Sequence, residues 1–123
     1  MKANRPIFAL LVLGLLLVLG AASCNTERKE ECEQFLLAMK ALEDSPASTE
    51  VADRTLTTLA SISFKDEPLR EYASSTKTTL TVLSNTLKVQ ASPSPPDGTD
   101  ELVAAKMKEA RGEREDVARY CLP

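Results

Sequence analysis

Residues 67–90 read EPLREYASSTKTTLTVLSNTLKVQ, and the fold turns on whether this stretch is helix or strand. The β reading has support in KTTLTVL (77–83), which is rich in β-branched residues that suit a pleated sheet. The helical reading rests on spacing. Leu69, Ala73, Thr76, Leu80, Leu83 and Leu87 fall at alternating steps of four and three, a heptad seam held for almost three heptads. The β pattern covers a few residues and the 3.5-residue period covers all of them, so the spacing predicts one long helix. Asp66 stands at its N-cap, with Glu67 and Pro68 in the first turn, where a missing N–H costs nothing.

The same period extends in both directions. Upstream, ECEQFLLAMKALED (31–44) places Cys32, Phe35, Leu36, Met39 and Leu42 on one face, and Pro46 ends that helix. Ser48 or Thr49 caps a second helix, on which Ala52, Thr55, Leu56, Leu59 and Ile62 share a face. Downstream, ASPSPPDGT (91–99) is a Pro-rich linker. Thr99 is the expected cap of a last helix, with Asp100 and Glu101 favoured by its dipole. Leu102, Val103, Met107, Ala110, Val117, Tyr120 and Cys121 can face inward there. Arg114 falls on the same seam, so its side chain snorkels out or the helix bends near Gly112. The Ser and Thr residues of 74–86 read as a solvated flank rather than a polar groove. The expectation is all-α: a small up-down-up-down four-helix bundle over residues 32–123.

Helix number bears on the cysteines. Cys32 opens the first helix and Cys121 closes the last. With an even number of antiparallel helices both lie at one end of the bundle; with three they would lie at opposite ends. A bridge needs Cα atoms within about 7 Å. Four helices and a Cys32–Cys121 disulfide joining the termini of the domain therefore support each other. On the chain-entropy model such a bond adds roughly 4–5 kcal/mol. The alternative is two buried free thiols.

The third cysteine keeps different company. The chain opens MKANRP, continues with the uncharged IFALLVLGLLLVLG (7–20), and reaches Ala21, Ala22 and Ser23 before Cys24. A basic start, a short apolar run and small residues make an export signal over residues 1–23. The run is short of the roughly 20 residues a spanning helix needs. LGAASC resembles the lipobox of bacterial lipoproteins, although Ala21 stands where that family most often has Leu. The resemblance covers residues 1–25. It implies that Cys24 is acylated, palmitate being a usual chain, and becomes the new N-terminus. Residues 24–31 are then a lipidated tether. Asn25, in place of Asp, implies the outer membrane. Ordinary cleavage after Ser23, leaving Cys24 a free thiol, is the alternative. Parity favours the lipid: three cysteines leave one odd, and an acylated Cys24 leaves two to pair.

The chain has 123 residues, 15 basic and 18 acidic, and no histidine. Residues 1–23 hold two of the basic residues and none of the acidic ones, so the remaining 100 carry a formal charge of −5. No basic stripe exists, so binding to nucleic acid is not expected. The absence of histidine removes the commonest general base and zinc ligand, His-ligated haem, and every Ser-His or Cys-His arrangement. No Gly-rich phosphate loop is present, and the acidic runs lack Ca²⁺-loop spacing. No catalytic residue, metal site or cofactor is expected. The leading expectation is a lipoprotein of the cell envelope, held to the membrane through Cys24. It acts there as a structural or protein-interaction module toward an envelope protein. Alternatives are a soluble periplasmic binder of a small apolar ligand, or an inhibitor- or immunity-type lipoprotein.

Overall fold

The structure, a computed structural model, describes residues 26–123. Among them it is all-helical. Helix α1 covers residues 26–44, α2 spans Thr49–Ser61, α3 Glu67–Gln90 and α4 Thr99–Tyr120. The segment 67–90 is one uninterrupted helix. Its six seam residues are all buried, with Leu69, Thr76, Leu80 and Leu83 at 0% exposure. Several of its Thr hydroxyls bond back along the helix, as Thr86 does to the Val82 carbonyl at 2.7 Å.

Caps fix the starts. Ser48 Oγ accepts from the Val51 N–H at 3.1 Å, and Asp66 Oδ2 from the Leu69 N–H at 3.2 Å. The start of α4 differs from the expectation. Its N-cap is Gly98 at φ 87°, and the Thr99 hydroxyl instead donates back to the Pro96 carbonyl at 2.6 Å. The linker turns by a left-handed residue, a conformation that favours glycine over any side-chain cap.

The helices run up-down-up-down. Cys32 near the start of α1 meets Cys121 at the end of α4, and the Tyr120 hydroxyl there donates to Asp66, the cap of α3, at 2.8 Å. At the other end Gln90 donates to Asp100 at 2.8 Å, pairing the end of α3 with the start of α4. One core runs through all four helices, with Phe35, Met39, Leu42, Leu59, Leu69, Leu80, Leu83 and Val117 its largest fully buried side chains.

Four expectations change. Helix α1 is already formed at residue 26, so most of the stretch read as a tether is bundle. Leu102 is exposed at 43% and Leu36 only half-buried, while Ala38 is buried. Thr76, Thr79, Ser84 and Thr86 are buried, so the flank of α3 is not uniformly solvated. Helix α4 passes Gly112 without a break, and Arg114 meets Glu43 of α1 at 2.8 Å. Among the described residues no helix is long and apolar enough to cross a membrane.

Candidate functional site

Two places on the bundle combine accessibility with local chemistry. The first is the end where the chain termini meet. Cys32 and Cys121 lie with Cα atoms 5.9 Å apart and their sulfurs bonded in the structure. Cys24 lies outside the described residues, as does the whole segment that resembles a lipobox. Around the pair stands a polar network. The Arg28 guanidinium lies 4.3 Å from the centre of the Tyr120 ring and donates to the Tyr120 carbonyl at 2.7 Å. Glu31, buried at 8% exposure, accepts from the Lys65 N–H and, at 3.2 Å, from the Asp66 N–H. It thereby satisfies the backbone of the α2–α3 connection, which would otherwise be left with orphan donors. Burial pushes the Tyr120 phenol above its usual pKa, helped by its hydrogen bond to Asp66.

Arg28 and Glu31 fall in the expected tether over residues 24–31, Glu31 also opening the expected first helix. A signal was present: Arg28, Cys32, Phe35 and Met39 recur at four, three and four, so the apolar face of α1 continues into the charged run. The face there is completed by a cation over a ring and a carboxylate under a loop, which a search for apolar residues passes over.

The second place is a groove of about 330 Å³ along the side of the bundle between α1 and α2. Its floor is made of small side chains: Ala38 and Ala41 from α1, Thr55 and Thr58 from α2. Ile62 closes one end and Leu37, at 72% exposure, stands on the rim. Gln34 and Arg54 complete the lining, and the small side chains between them leave room for a side chain from outside. A separate apolar patch, Val82, Val89 and Leu102, lies on α3 and α4 beside the linker, over a hollow of about 400 Å³.

Among the described residues no group of three or more Cys, Asp and Glu is placed to hold a metal ion. Glu109 and Glu113 both point at the Thr79 hydroxyl, which donates to Glu113 at 2.6 Å, and Lys106 pairs with Glu109 at 2.8 Å. That cluster bonds α3 to α4. Compared with known protein families, with curated proteins and with solved structures, the chain matches none.

Proposed function

We propose that this chain is a small lipoprotein of the bacterial cell envelope, exported by residues 1–23 and anchored by acyl chains on Cys24. Its helical domain, closed by a Cys32–Cys121 disulfide, serves as a protein-interaction module at the membrane surface. The observation that carries the reading is the cysteine pairing. With Cys32 and Cys121 side by side, Cys24 is the odd cysteine of three, and acylation removes an exported thiol that would otherwise be a liability. Residue 26, the first described residue of α1, lies toward the end of the bundle that holds the pair. Three acyl chains hold a protein far more firmly than a single myristoyl group. The α1–α2 groove gives such a module a surface to bind with.

Fractionation of cells making the full chain or Cys24→Ser tests the reading. The parent chain is expected with membranes, released by detergent but not by high salt, and the variant in the soluble fraction. A parent chain found in the soluble fraction, or a variant still membrane-bound, contradicts it.

A further inference from the structure

We propose that the α1–α2 groove receives an amphipathic helix of a partner protein, one whose apolar ridge is flanked by Lys or Arg. The inference deepens the interaction-module reading and rests on it.

Shape sets the kind of occupant. The hollow lies between two antiparallel helices, and Ala38, Ala41 and Thr58 keep it shallow and open along its length. A helix presenting apolar residues at i, i+3 or i+4, and i+7 fills such a groove, with Leu37 packing against its flank.

Charge sets the partner. At 100° per residue, Glu30 and Asp44 fall within 70° of the centre of the groove-facing stripe of α1, one toward each end. Both are exposed. Arg28, Lys29 and Lys40 fall more than 100° away. The one cation that α2 offers the groove, Arg54, is already engaged by Glu50 at 2.6 Å. Glu27, also on the stripe, has Lys65 at 3.9 Å. The groove is apolar in its centre and acidic at both ends, and cations flanking an apolar ridge match it.

A second copy of this chain fits less well. Packed two-fold about Leu37, antiparallel α1 helices would set Glu30 of one copy near Asp44 of the other, like against like.

The test titrates the full-length protein, as isolated and with its disulfide intact, into two labelled helical peptides. Both carry the same Leu ridge; one has Lys on its flanks and the other Glu, and binding is read by fluorescence anisotropy. The Lys peptide is expected to bind at least about tenfold more tightly, and to weaken as salt is raised past the roughly 10 Å screening length of 0.1 M. Leu37→Asp, at an exposed position that leaves the core intact, should weaken it by about tenfold or more. Glu30→Lys should narrow the preference between the peptides, and Val89→Asp, on the separate patch, should change nothing. Equal binding of the two peptides, no binding of either, or indifference to Leu37→Asp overturns the proposal. Sedimentation as a dimer that Leu37→Asp dissociates also overturns it, in favour of a second copy. None of these results bears on whether Cys24 is acylated, so a failure here and a failure of the anchor are told apart.

Discussion

Thr55 and Thr76 are buried at 1% and 0% exposure, and the hydroxyl of neither has a hydrogen-bond partner. The buried Thr79 and Thr86 escape that cost by donating to the carbonyl four residues back. A buried hydroxyl without a partner costs free energy, and replacing it by a methyl of similar shape removes that cost. Thr76→Val should therefore stabilise the domain by about 1 kcal/mol, read as a rise in denaturation midpoint at constant m. A loss of stability would mean that the hydroxyl has a partner in solution. At this scale the sequence is only partly legible. Position 76 could be assigned to the seam from its spacing, but not that its oxygen would go unpaired. Nor could Glu31 be recognised as a buried acceptor. That role depends on where the backbone of Lys65 and Asp66 comes to lie, more than thirty residues along the chain.

Elements were more legible, because periodicity and caps are local. The seam from Leu69 to Leu87 identifies α3 against its own β-branched content. Asp66 caps α3 as expected, and of Ser48 and Thr49 it is Ser48 that caps α2, each by a side chain that reaches an N–H three residues on. The start of α4 differs from the expected Thr99 cap: Thr is a good cap by residue type, but the linker needs a left-handed turn one residue earlier. Gly98 supplies it at φ 87°, and no atom lies within 4 Å of where a Cβ would stand. The cost of a side chain there is conformational alone. Gly98→Ala should destabilise by about 1 kcal/mol, and Gly98→Asn by less, since Asn visits that conformation more readily. Equal midpoints for glycine and alanine would contradict this account of the cap. Arg114 shows how a seam position can hold a cation. The helix continues unbroken past Gly112, and the guanidinium, a quarter exposed, crosses to Glu43 on α1.

For the whole molecule, the parity of the helix count was the deciding inference. An even number of antiparallel helices returns the chain to its starting end, and the structure sets Cys32 and Cys121 5.9 Å apart across a separation of 89 residues. The polar network at that end acts in the same direction without a covalent bond. Arg28 ties α1 to the end of α4, Tyr120 ties α4 to the start of α3, and Glu31 ties α1 to the loop before it. These contacts close the same end of the bundle beside the cysteine pair. What the sequence could not supply was the groove, since a hollow between two helices depends on which small residues end up opposite each other. Ala38 and Thr58 sit in separate helices whose relative rotation is set by the core.

The central claim gives the three cysteines two separate jobs, and the intact mass of the native, membrane-extracted protein tests both at once when taken with and without reduction before alkylation. The account predicts residues 24–123 plus acylglycerol and fatty acid, with no thiol alkylated before reduction and two after it. A bare Cys24, or two or more thiols that alkylate without reduction, would contradict it.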